Sequence, residues 1–187
     1  MMDSSWYKQK ILSDDDIKTL LSLWKNPEKC HQDFNLFNTY RVTMSNLEVN
    51  TVGAFKKLQE HTGGMTNLAQ YMLEYTPGAF ARIHSDDPDR AGRTIVTLLE
   101  DDDLVGGESL VYYKYLIDSR PASEACRRNE GEERPYGERI IPHVANLSVG
   151  ESLVYDHDVL HGVAQVKQGS RKVLISWYQR EDFNKEK

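Results

Sequence analysis

The sequence predicts a mainly β protein, an antiparallel barrel or jelly roll, with helices confined to its first third. Two observations carry this. Helical periodicity occurs only before residue 66, and beyond it short apolar-alternating runs follow one another between glycine and proline turns. The length, 187 residues, suits a single domain with its own core. We therefore read 1–187 as one domain: helical N-terminal support over 1–66, a β core over 67–180, and an insert over 118–139.

Residues 13–25 read as the first helix. Ser13 can cap it, Asp14, Asp15 and Asp16 suit the positive end of the helix dipole, and Ile17, Leu20, Leu21 and Trp24 form one apolar stripe. Residues 51–62 read as a second helix, with Val52, Phe55 and Leu58 on one face and Gly63-Gly64 as its stop. The period then changes. Residues 67–76 read as a strand ended by a turn at Pro77-Gly78, and strands follow at 80–84, 93–99, 109–116, 152–155 and 172–178. Gly106-Gly107, Val149-Gly150-Glu151 and Gln168-Gly169-Ser170 read as turns. The segment 118–139, rich in Glu, Arg, Pro and Gly, reads as a mobile insert: a plain surface loop, or a lid that contacts substrate.

Composition narrows the function classes. Apolar residues make up 39% and charged residues 28%, ordinary for a globular protein, and the net charge is −6. That balance argues against nucleic acid as a partner, and Arg127-Arg128 lies among Glu130, Glu132 and Glu133. Cys30 and Cys126 form no disulfide or CxxC pattern, which fits a reducing compartment. The first residues lack a secretory pattern, and no apolar run approaches the roughly 18 residues that mark a membrane span. The expectation is a cytoplasmic protein with no membrane partner.

Three residues suggest a metal. His84 and Asp86 stand two apart, so on a strand or its end both aim at one point. His161, after a strand and a polar turn, would supply a second imidazole, and two histidines with one carboxylate form the facial set of non-haem Fe(II) oxygenases. His157 is the rival ligand. His161 ranks above it because Arg171 and Trp177 fall into register with it. Arg171 opens an apolar strand, a costly place for a cation without an anionic partner. His31, His61 and His143 read as structural or surface residues, with His143 also a candidate to line a pocket.

In that order — H-x-D, a double glycine, His, Arg ten residues on, Trp six later — the chain resembles the 2-oxoglutarate- and Fe(II)-dependent dioxygenases of prolyl 4-hydroxylase type, over residues 67–180. Tyr75, nine residues before His84, and Gly106-Gly107-Glu108 also fit the family pattern. The resemblance implies a double-stranded β-helix with Fe(II) on His84, Asp86 and His161. It also implies that Arg171 grips the distal carboxylate of 2-oxoglutarate. Leu98 and Leu99 stand where relatives often carry a tyrosine that touches this cosubstrate, so the second contact falls to Tyr75 or Thr97, with Trp177 alongside. The implied reaction consumes O2 and 2-oxoglutarate, releases succinate and CO2, and hydroxylates an unactivated C–H; ascorbate as an added reductant is left open. The implied substrate is a prolyl or other residue of a peptide or protein. A small molecule such as a free amino acid, or a non-catalytic jelly-roll binding module, is the alternative. The oligomeric state is not encoded in any motif.

Overall fold

The structure, a computed structural model, describes residues 6–30, 36–44, 53–86, 92–118 and 136–179. Most of the expected insert, 119–135, lies outside these residues.

Among the described residues there are two helices and ten strands. They follow as β1 (Trp6–Lys10), α1 (Asp14–Ser22), β2 (Glu28–Cys30), β3 (Leu36–Thr43), α2 (Gly53–Glu60) and β4 (Thr66–His84). Then come β5 (Arg93–Gly106), β6 (Ser109–Asp118), β7 (Tyr136–Ala145), β8 (Glu151–Asp156), β9 (Leu160–Val163) and β10 (Val166–Gln179). All pairing is antiparallel, in the order β1-β8-β5-β10-β4-β9-β6-β7, with β3 on β4 and β2 on β3. The result is a nearly closed jelly roll, as the sequence predicts.

The first helix forms where its cap dictates. Ser13 accepts from the Asp16 amide, and Asp16 reaches back to the Ser13 amide, a reciprocal capping box. The helical reading of 1–66 is incomplete, because β1, β2 and β3 also lie there. β1 has four exposed residues of five and lies at the sheet edge, so it shows no apolar alternation from which to read it.

Two expected turns are bends within strands. β4 runs 19 residues through Pro77 and Gly78, where Gly78 takes φ +90°. Its first half pairs with β10 and its far end with β9, so one strand joins the two halves of the rolled sheet. Gly169 lies inside β10, where the β5 register shifts on either side of it. The ends of the expected insert, Asp118 and Tyr136–Arg139, belong to the β6–β7 hairpin.

The two faces of the β8-β5-β10-β4 part of the sheet bury different things. Met72, Ile95, Leu99, Val154, Leu174 and Tyr178 pack outward against Leu12, Ile17, Leu20, Phe55 and Leu58, in and beside the two helices. Leu73, Tyr75, Leu98 and Val173 face inward. Strand period two sends neighbours to opposite faces, and the inward set borders a central cavity. No described helix is long and apolar enough to cross a membrane.

Candidate metal centre and anion pocket

The cavity between the sheets has a volume of about 370 Å³. Its walls include His84, Asp86, His161, Arg171, Tyr75 and Trp177. Six of the seven residues singled out from the sequence therefore meet in one space.

His84 and His161 are direct cross-strand partners on β4 and β9, with ring centroids 4.3 Å apart. A bulge makes this possible. Ala81 pairs with Val163 and His84 with His161, so β4 spends three residues where β9 spends two. The extra residue switches the face, and His84 enters the cavity while Ile83 is 46% exposed. Asp86 follows just past the strand end. One ligand atom from each of the three residues lies within 4.8 Å of the others, and His161 Nε2 is 3.8 Å from Asp86 Oδ1.

Each ligand is held by its other polar atom. His84 Nδ1 is 2.7 Å from the Arg82 carbonyl, and His161 Nδ1 is 2.9 Å from the Val159 carbonyl. A carbonyl only accepts, so both Nδ1 atoms carry the proton and donate it, leaving each Nε2 lone pair for a metal. Burial, with His84 adding to it, lowers the His161 pKa against the pull of Asp86, which favours the neutral imidazole a metal needs. Asp86 Oδ2 accepts from Thr94 Oγ1, so Oδ1 is the free oxygen. The donor set fits a first-row divalent metal with open coordination positions.

Arg171 lies on the same inner face of β10 as Val173, Ile175 and Trp177. It is 3% exposed. One of its terminal nitrogens donates to the Gly107 carbonyl and the other to Ser109 Oγ at 3.1 Å. Gly107 makes room for this: at φ +71°, a Cβ there would come within 2.8 Å of Val166 and 3.4 Å of the Arg171 side chain. Burial lowers the Arg171 pKa, and Tyr75, Glu108 and Asp101 oppose the shift; a guanidinium remains cationic regardless. Among the described residues no carboxylate forms an ion pair with it, and its Nε is buried without a hydrogen-bond partner. A buried cation with an unused donor, beside a cavity, is a receptor for an anion.

The spacing between the two ends follows from the sheet. Ser109, which holds Arg171, pairs with Val163 on β9, and His161 is two residues further along that strand. Two strand residues span about 7 Å. Tyr75, opposite Arg171 in the β4–β10 register, places its ring 5.5 Å from the guanidinium carbon. Trp177 meets Tyr71 edge-on at 5.6 Å.

Thr97 does not reach the cavity, which corrects the expectation for it. It shares parity with Ile95 and Leu99, on the helix-covered face, and its hydroxyl bonds Ser152 Oγ at 2.7 Å. His157 sits in the turn between β8 and β9 and is not part of the metal set, and His143 packs its ring against Trp6 at 5.2 Å, tilted by 44°, rather than lining the cavity. Sequence reading missed Thr94, Ser109 and Tyr155. Tyr155 places its ring 4.4 Å from that of His161. Only the parity of Thr94 with Val96 and Leu98, the inward residues of β5, could have signalled one of them.

No protein-family model matches the sequence, and no curated protein is similar to it by sequence. Solved structures share its fold. A prolyl 4-hydroxylase from Pseudomonas putida superposes with a TM-score of 0.63 at 16% identity, covering 95% of this chain and 93% of its own. A prolyl hydroxylase from Trichoplax adhaerens, in complex with a hypoxia inducible factor oxygen degradation domain peptide fragment, gives 0.61 at 11% identity, covering 98% and 87%. HygX from Streptomyces hygroscopicus, with nickel, 2-oxoglutarate and hygromycin B bound, gives 0.61 at 12% identity, covering 95% and 83%.

Proposed function

We propose that this protein is an Fe(II)- and 2-oxoglutarate-dependent dioxygenase that hydroxylates a prolyl or other residue in a peptide or protein. The observation that carries this reading is the pairing of two half-sites in one cavity. At one end two imidazoles and a carboxylate converge; at the other, held by Ser109, whose β9 partner Val163 stands two residues (about 7 Å) from His161, lies a buried arginine that no carboxylate among the described residues pairs with. A short diacid that chelates a metal at one end and needs a cation at the other matches both.

In this reading His84 and His161 hold Fe(II) through Nε2, and Asp86 holds it through Oδ1. Bound Fe(II) and 2-oxoglutarate supply the oxidising chemistry toward an unactivated C–H, with O2 consumed and succinate and CO2 released. The chain's own work is to bind, orient and exclude. Arg171 binds the distal carboxylate with a charge-assisted hydrogen bond, and its fixed distance from the metal set selects the length of the diacid. Tyr75, rather than Thr97, is the second contact on that carboxylate. Val173, Ile175 and Leu153 keep the space between dry, which strengthens the interaction of Arg171 with an anion. Ser85, Leu110 and Gly162 complete the wall beside the metal set, where a substrate C–H must approach. A peptide or protein substrate is supported by the fold shared with two prolyl hydroxylases, one of them bound to a peptide.

The test is a titration of the protein with Fe(II) and 2-oxoglutarate without oxygen. A weak visible absorption band from the chelate is expected, and its absence at saturating ligand refutes the reading. With O2 admitted, succinate release should rise with proline-containing peptides and not with free amino acids. The reverse pattern would assign a small-molecule substrate.

A further inference from the structure

Thr94 occupies an unusual position for a strand residue. It is fully buried, directly opposite Tyr155 on β8 and Trp177 on β10, and it faces the metal set rather than the helices. An ionised carboxylate only accepts, so the Thr94 hydroxyl donates its one proton to Asp86 Oδ2. Tyr155, its cross-strand partner on β8, is buried beside it.

This fixes the carboxylate. A free aspartate can turn about its last torsion and present either oxygen, or both. With Oδ2 engaged, Oδ1 alone points toward His161 Nε2, 3.8 Å away. Threonine suits the task because branching at Cβ stiffens its first torsion. On the other side the Tyr155 ring lies 4.4 Å from that of His161, so the Thr94–Tyr155 pair flanks two of the three ligands.

We infer that Thr94 is a positioning residue that presents Asp86 to the metal through a single oxygen, and so sets the affinity of the centre for divalent metal. The inference rests on the metal-centre reading above. The test uses the full chain and Co(II) as the probe, with visible ligand-field absorption as the readout, so no turnover is needed. Thr94→Val keeps the shape and removes the hydroxyl; Co(II) binding should weaken by about 10–100-fold, the usual effect of losing a partner behind a metal ligand. Thr94→Ser should restore wild-type affinity. Thermal melting of the metal-free proteins separates loss of fold from loss of affinity, and if Thr94→Val does not fold, Thr94→Ala, which also lacks the hydroxyl, carries the test. Wild-type affinity in the folded variant without the hydroxyl overturns the inference while leaving the metal centre intact. A wild-type protein that takes up no Co(II) overturns the metal-centre reading itself.

Discussion

The inner and outer faces of β10 differ by one residue in sequence and by everything in role. Arg171, Val173, Ile175 and Trp177 border the cavity, whereas Leu174 and Tyr178 lie under the helices with Leu20 and Leu58. The inner face keeps a charge and a space; the outer face fills its space completely. A face held open for ligand gives up packing, so stability has to come from the opposite side of the same strand. Substitutions on the two faces should therefore separate function from stability.

The largest effect is expected at the inner end. His161→Ala should abolish metal-dependent turnover, measured as succinate release, with little change in the melting temperature of the metal-free protein. His157→Ala should leave turnover intact, and the opposite pair of results would move the metal ligand to His157. Next comes Arg171→Ala. Loss of a buried charged contact costs about 2–5 kcal/mol, so the 2-oxoglutarate requirement should rise by about 30-fold or more while Co(II) affinity survives. Unchanged cosubstrate affinity would remove the anion role of this residue. On the outer face, Leu174→Ala should cost about 2–5 kcal/mol in denaturant unfolding, because Leu174 is fully buried, while the metal affinity of the folded fraction stays the same. The smallest effect sharpens the comparison most. Thr97→Val strands the Ser152 hydroxyl and should cost about 1–3 kcal/mol, with 2-oxoglutarate affinity untouched. Adding Ser152→Ala should recover much of that loss, since both partners are then apolar. A change in cosubstrate affinity in Thr97→Val would mean that the two faces are not independent.

Parity also explains what could be read from the sequence. The metal set was legible because His84 and Asp86 are neighbours in the chain and share a side. Arg171 and Trp177 were legible for the same reason, being an even number of residues apart. Thr97 was named as a cosubstrate contact although its odd number groups it on β5 with Ile95 and Leu99, two residues the helices cover. Thr94 and Ser109 gave no local signal, because each acts on a residue of a remote segment: Thr94 on Asp86, Ser109 on Arg171. The first helix was legible through its cap, whereas β1 was not, since an exposed edge strand needs no apolar pattern. Pro77-Gly78 was read as a turn because that pair more often ends a strand than bends one.

The bulge before His84 makes the metal centre depend on counting. With the same residues in a regular β4–β9 ladder, Ile83 would stand opposite His161, and His84 and Asp86 would turn together to the solvent side. Such a chain would retain every ligand in its sequence and hold only His161 at the focus. Deleting Ile83 instead would leave His84 opposite His161 without the bulge, so the centre requires the match between residue number and pairing, not the bulge for its own sake.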